Sequence, residues 1–166
     1  MAKLALYLGA TPDGVRSTRR RVTIEDVAQS VGDSAALGLD ELVDAASLGD
    51  LAQLEPVLDR LLGEGQQPVR IIRALANHFV RMHRFALQIE RGQTAERTID
   101  QARPPVHFRR KDKVRTALRR WSASQLSAAL GRLIEAELAC KSTGWPAQLI
   151  CREAALALAR QASKDA

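Results

Sequence analysis

A long apolar stripe with helical spacing between residues 68 and 92 constrains the fold most strongly. Apolar side chains recur there every three or four residues, while Arg, Asn and Gln occupy the opposite positions. The stripe consists of Val69, Ile72, Leu75, Ala76, Phe79, Met82, Ala86 and Ile89. This period predicts an amphipathic helix that starts at Pro68, ends at Gly92 and buries one face. Such a helix needs other elements to cover its stripe.

The remaining chain reads as further helices joined by short loops. Capping residues, apolar spacing and Gly or Pro breaks predict helices over 24–32, 38–49, 51–63, 94–102, 106–121, 122–140 and 147–162, and residues 2–8 have the pattern of the last turns of a helix. Aromatic residues make up only 4% of the chain, and no segment shows the alternation of a strand. We therefore predict an all-α bundle of roughly eight helices.

Charge is unevenly distributed along the chain. The 25 basic and 19 acidic residues give a formal net charge of +6. Acidic residues concentrate between Asp33 and Glu64, whereas basic residues concentrate at 16–21 and 103–120. Such separation favours association with nucleic acid or with an acidic protein surface. A basic helix that is only solvated explains the pattern equally well, so all three interpretations stay open.

Motifs for catalysis, cofactors and metals are not found in the sequence. It contains neither a phosphate-binding glycine loop nor a dinucleotide fingerprint. His78 and His83 are spaced to lie about 140° apart around one helix, which does not suit a shared metal. We expect no catalytic, cofactor-binding or metal-binding residues. Cys140 and Cys151 lack metal or redox spacing and are expected to be reduced thiols inside a cytoplasmic protein.

The two tryptophans receive different predictions. Trp121 ends the basic helix directly before Ser122, and we expect it to pack in the core beneath the following helix. Trp145 stands in a Gly-Trp-Pro break after Lys141. It either caps the ends of two helices or stacks on an unpaired base, as loop aromatics beside cations can do.

Several short motifs, in this order and spacing, resemble the bacterial DNA polymerase III delta subunit, a clamp-loader protein. They lie at residues 3–9, 22–27, 31–34, 42–46, 68–79, 104–108, 120–122 and 135–141. The resemblance implies that residues 1–32 form the C-terminal end of the helical lid domain. Residues 33–166 would form the helical collar, the oligomerisation domain.

In this family the collar holds delta in a five-membered ring with the gamma/tau and delta-prime subunits, which loads the sliding clamp on primed DNA. The resemblance implies the same partners here, as part of the DNA polymerase III holoenzyme and away from membranes. Contact with the sliding clamp belongs to an N-terminal domain that this chain is expected to lack. The apolar faces of helices 68–90 and 147–162 are the expected contacts with neighbouring subunits.

The resemblance also suggests residues that touch DNA within the assembly. The candidates combine a loop aromatic with nearby cations: Trp145, Lys141, Arg109, Arg110 and Lys111. A different class of function remains as an alternative, a helical DNA-binding regulator that places the basic helix 106–121 in a major groove.

Overall fold

The computed structural model describes the backbone of residues 24–164 and the side chains of residues 34–164. This part contains seven α-helices and no strand, which confirms the all-α class. The helices are α1 (Ile24–Leu48), α2 (Leu51–Gly63), α3 (Pro68–Glu90), α4 (Ala95–Asp100), α5 (Lys111–Arg120), α6 (Ala123–Lys141) and α7 (Ala147–Lys164), with a 3-10 turn at Phe108–Arg110. The helix predicted over 2–8 lies outside the described residues. The chain divides into two compact units after Leu37, within α1, and the second unit is described below.

Helix α1 corrects the prediction of two separate helices over 24–32 and 38–49. Its backbone is helical without interruption through Gly32 and Gly38. A glycine inside a helix costs only about 1 kcal/mol, which is little beside the burial of the next turns, residues 42–47. At Gly38 the missing side chain also makes room, because a Cβ there would lie 2.9 Å from a methyl carbon of Leu61. The expected domain boundary after residue 32 therefore falls inside one helix, and the assignment of the two domains stays a prediction.

Helix α3 is the centre of the bundle, as its stripe predicts. It packs most extensively on α6 and also on α7, while α2 packs on α7. Its buried residues are Ile71, Ile72, Leu75, Phe79, Met82, Phe85 and Ala86. The buried face is shifted relative to the predicted stripe, because Ile71 and Phe85 are buried whereas Val69, Ala76 and Ile89 are only half-buried.

Trp121 lies in the core, which confirms its prediction. The residue is only 3% exposed, and its ring meets that of Phe79 edge to face at 5.1 Å. The indole Nε1–H donates a 2.9 Å hydrogen bond to the carbonyl oxygen of Ser47. Ser122 then begins α6 with a capping box formed with Gln125. One side chain thus ties the end of α1 to α3 and to the start of α6.

The predicted basic helix 106–121 is wrong at its start. Residues 106 and 107 are not helical, the 3-10 turn follows, and α5 begins only at Lys111. Val106 is instead buried in a small second core, formed by Phe85, Ile99, Ala102, Val106 and Val114. This second core holds the segment against the end of α3.

The cysteines are free thiols, as predicted. Cys151 is buried in α7, whereas Cys140 is half-buried near the end of α6. Burial raises the pKa of the Cys151 thiol to about 12. Cys151 therefore stays protonated at neutral pH and acts as a small apolar core residue.

Gly49 generates a stability prediction. It has a φ of +70°, and a Cβ there would lie 2.6 Å from the backbone nitrogen of Ser163 in α7. Gly65 has a φ of +81° but nothing within 4 Å of its Cβ position. Gly65→Ala should lower the free energy of unfolding by about 1–2 kcal/mol through backbone strain alone. Gly49→Ala should lose a further 1–3 kcal/mol or so through overpacking.

Urea denaturation of the two variants and the unsubstituted chain measures this difference. Equal losses for the two variants would show that the close approach of Gly49 to α7 does not matter.

Candidate functional site

The basic segment, defined here as residues 103–120, carries eight cationic side chains. Four of them form ion pairs with carboxylates of the same chain. These four are Arg110, Lys111, Lys113 and Arg115. Half of the positive charge in the segment is therefore compensated inside the described part of the chain. The sequence pattern alone overstates how much charge faces a ligand.

Arg110 forms the most extensive of these ion pairs, with two acidic residues of α1. Its Nε and Nη2 atoms donate to the carboxylate of Asp44, with Nη2 2.7 Å from Oδ1. Its Nη1 atom lies 2.5 Å from Oδ1 of Asp40. The carboxylate of Asp44 is almost fully buried, and Nζ of Lys113 approaches it to 3.5 Å. This forked geometry fixes Arg110 as a structural residue that compensates a buried charge.

A polar cavity of about 190 Å³ lies beside this ion pair. Its lining includes Asp40, His78, Arg81, His107 and Arg110. Arg81 donates a 2.6 Å hydrogen bond to the carbonyl oxygen of Pro104. The Nε2 atom of His78 is buried and has no hydrogen-bond partner among the described residues. The residue as a whole is half-buried, so it is this ring nitrogen and not the complete side chain that is enclosed.

Electrostatics in the cavity keep His78 neutral. Burial lowers the pKa of His78 to about 3, and the positive charges of Arg110 and Arg81 act in the same direction. The pKa of Arg81 is lowered as well, first by burial and then by Arg110. Protonation of His78 would place a third positive charge in this cavity.

Arg109 is the candidate cation of the basic segment that stays exposed. It forms no ion pair with the described carboxylates, and its guanidinium group lies 5.5 Å from the ring centre of Phe108. Phe108 is 68% exposed, and its ring lies 4.6 Å from that of His107. Sequence reasoning missed Phe108, although an aromatic residue within a run of cations is a recognisable signal for stacking on a base. Lys111, by contrast, pairs with Asp100 at 2.6 Å.

The remaining candidates lie in and around the α6–α7 loop. The Nζ atom of Lys141 is 2.6 Å from Oε1 of Glu137, which also accepts a 2.8 Å hydrogen bond from Arg73 in α3. These hydrogen bonds lower the pKa of Glu137. Trp145 is 63% exposed. The candidates thus form two groups on different elements, and among them only Arg109 and Trp145 present a side chain without a carboxylate partner.

An apolar groove of about 550 Å³ lies between α6 and α7. It is lined by Arg132, Leu133, Glu135, Ala136, Ala139, Trp145, Pro146, Leu149, Ile150, Glu153, Ala154, Ala157 and Leu158. The sequence pointed to the apolar faces of helices 68–90 and 147–162 as contacts for neighbours. The first of these faces is buried inside the bundle and is not available. The second contributes Leu149, which is more than half exposed, to one wall of the groove.

The described residues contain neither a metal-binding cluster nor a membrane-spanning helix. Their His, Cys, Asp and Glu side chains nowhere form a group of three or more that could hold a metal ion. No helix between residues 24 and 164 combines the length and apolar character needed to span a bilayer.

His78 generates a prediction about pH. Its folded-state pKa lies below the ordinary value of 6.5, so the unfolded chain binds more protons between pH 6.5 and 3. Its contribution to stability is complete above pH 6.5 and decreases as the pH falls towards 3. Between pH 6.5 and 5.5, the unsubstituted chain should lose about 1 kcal/mol more unfolding free energy than His78→Gln.

Urea titrations of both proteins at the two pH values test this, since groups other than His78 titrate equally in both. If the unsubstituted chain and His78→Gln lost the same unfolding free energy between the two pH values, the imidazole would not be held neutral by its surroundings.

Comparison with known proteins places this fold in a family. Residues 41–156 match the family model described as DNA polymerase III delta subunit, C-terminal domain. The solved structure of the DNA clamp loader delta protein of Bacillus subtilis has a similar fold, with a TM-score of 0.64 at 19% sequence identity. The match covers 96% of this chain and 44% of the Bacillus protein, so the chain spans less than half the length of that relative. No curated protein sequence matches the chain.

The family match extends from the second half of α1 into α7. It includes Asp44, Arg110, the whole of α3 and most of the apolar groove. Because the match covers well over half of the sequence, the chain belongs to the family defined by the C-terminal domain of the DNA polymerase III delta subunit.

Proposed function

We propose that this chain is the C-terminal collar part of a clamp-loader delta subunit. In this role it holds delta in the pentameric assembly that loads the sliding clamp on primed DNA for replication. The family match over residues 41–156 carries the proposal. Its partners are the gamma/tau and delta-prime subunits, and it works in the cytoplasm.

The distribution of exposed apolar residues supports a binding role. The core of the bundle is closed around α3, yet an apolar groove between α6 and α7 stays open to solvent, and Leu149 in its wall is more than half exposed. A protein that acts alone rarely keeps such an apolar surface uncovered, whereas a protein built into an assembly buries it against a neighbour.

This proposal predicts co-assembly. Mixed with gamma/tau and delta-prime from the same source, the chain should elute with them as one larger species in size-exclusion chromatography with light scattering. Bovine serum albumin in place of the partner subunits serves as the control. Separate elution of the chain at micromolar concentrations would contradict a collar function.

A second activity, contact with primed DNA inside the assembly, is supported by the exposed aromatic and cationic side chains. We propose that Trp145 stacks on an unpaired base and that Arg109 contacts a phosphate, whereas Lys141 is paired with Glu137. Arg110 and Lys111 are held by Asp44 and Asp100, so they position the turn that presents Arg109.

The alternative, a regulator that reads duplex DNA with the basic segment, receives less support. Helix α5 has only ten residues, and several of its cations face acidic residues of the same chain. A recognition helix keeps its cations free for phosphates and base edges. Tight, salt-sensitive duplex binding by the chain alone would favour the regulator, whereas DNA binding only within the assembly favours the collar.

The DNA contact predicts distinct effects of Trp145 and Arg109. In the reconstituted assembly, Trp145→Ala should weaken binding to primed DNA about five- to tenfold through lost stacking. Arg109→Ala should also weaken binding. It should lower the slope of log affinity against log salt concentration by the amount expected for about one phosphate contact.

Arg119→Ala is the matched control, because Arg119 is another exposed cation without a carboxylate partner among residues 34–164. Fluorescence anisotropy with a labelled primer–template measures all three. If the control weakened binding as much as Arg109→Ala, the effect would be one of net charge alone.

A further inference from the structure

We propose that the apolar groove between α6 and α7 is the docking site for one helix of a neighbouring protein in the clamp loader. That helix would turn large apolar side chains into the groove and a Lys or Arg towards its rim. The proposal rests on the proposed collar function, in which the chain has neighbouring subunits. It goes further by naming the surface that binds a neighbour and the chemistry of the helix that fits there.

The shape of the groove follows from alanines on both of its helices. Ala136 and Ala139 lie one turn apart on α6, and Ala154 and Ala157 do so on α7. Short side chains at this spacing leave a depression between two ridges, into which the ridge of a third helix can pack. Leu133 and Leu158, both 1% exposed, close the bottom and anchor the groove to the core.

The length of the groove suits a helix better than a single side chain. Along α7 it extends from Leu149 to Ala157. Eight residues of helix correspond to about 12 Å, or roughly two turns. With a volume of about 550 Å³, the groove has room for several apolar side chains in a row. A partner helix with large apolar residues at positions i, i+3 or i+4, and i+7 matches these dimensions.

The charge at the rim decides between a protein and a nucleic acid. Glu135 on α6 and Glu153 on α7 line the groove, and neither forms an ion pair with the described residues. Arg132, the one cation that lines it, donates a hydrogen bond to Gln161. Two unpaired carboxylates repel a phosphate backbone and attract a Lys or Arg side chain. This polarity favours a basic amphipathic helix as the occupant.

Leu149→Arg tests the groove, and Leu138→Arg is its matched control. Both leucines are more than half exposed, but Leu138 lies on α6 outside the groove. The affinity of the chain for gamma/tau with delta-prime is measured by biolayer interferometry, after circular dichroism has confirmed folding. Leu149→Arg should lower this affinity at least tenfold, because it places a charge in the apolar contact. Leu138→Arg should change it less than twofold.

A charge-reversal variant tests the rim independently. The double substitution Glu135→Lys with Glu153→Lys should weaken binding about fivefold and reduce its sensitivity to salt. Glu64→Lys, an exposed acidic position at the end of α2, serves as the control and should have little effect. Trp145 is left unchanged in these variants because it lies on the loop that borders the groove, and its replacement would affect the proposed DNA contact as well.

The outcomes separate this inference from the collar function itself. If the unsubstituted chain does not bind the other subunits, the proposed function fails. If it binds them and Leu149→Arg binds equally well, or if Leu138→Arg loses as much affinity, the groove is not the docking site and the collar function stands. If the chain alone forms dimers that Leu149→Arg abolishes while binding to the other subunits is unchanged, the occupant is a second copy, which also overturns the proposal.

Discussion

A buried carboxylate must be compensated by a cation. In this domain the ion pair between Asp44 and Arg110 positions the residues around the turn before α5. Asp44 lies on the buried side of α1 and receives a forked pair of hydrogen bonds from Arg110. The pair fixes the turn before α5 against α1, and the adjacent second core holds the same segment against α3. Arg109, the preceding residue in the chain, is thereby left at the surface. The charge of Arg110 also helps to keep His78 neutral.

Local patterns predicted the elements that depend on local chemistry. The apolar period of α3 and the core position of Trp121 were both predictable, because an apolar period and a large apolar ring act over a few residues. The continuity of α1 was not predictable, since glycine usually signals a helix end and only tertiary packing offsets its cost. The late start of α5 also depends on tertiary packing, because Val106 is buried in the second core and is not part of the helix.

The candidate site was predicted less well for a related reason. A run of cations shows where positive charge lies in the sequence. The carboxylates that compensate this charge can be far away along the chain, as Asp44 is from Arg110, at a separation of 66 positions. Counting charges therefore could not separate Arg109 from Arg110. One wall of the groove, on helix 147–162, was expected to contact a neighbour. The groove itself was not predicted, because the alanines that shape it carry no signal of exposure or burial in a helical sequence. Phe108 could have been found from its place among cations.

Binding to the groove would cost this domain less conformational entropy than binding to the basic segment. Its floor is made of Leu133 and Leu158, which belong to the central core, and its helices pack on α3. Walls held in this way have lost their conformational freedom on folding, so a partner helix orders few further side chains of this domain when it binds. Phe108 and Arg109, in contrast, are exposed on a turn outside the central core, so a ligand restricts more of their side-chain freedom when it binds. The rigid apolar surface therefore suits a lasting contact between subunits, and the exposed side chains suit a ligand that binds and leaves.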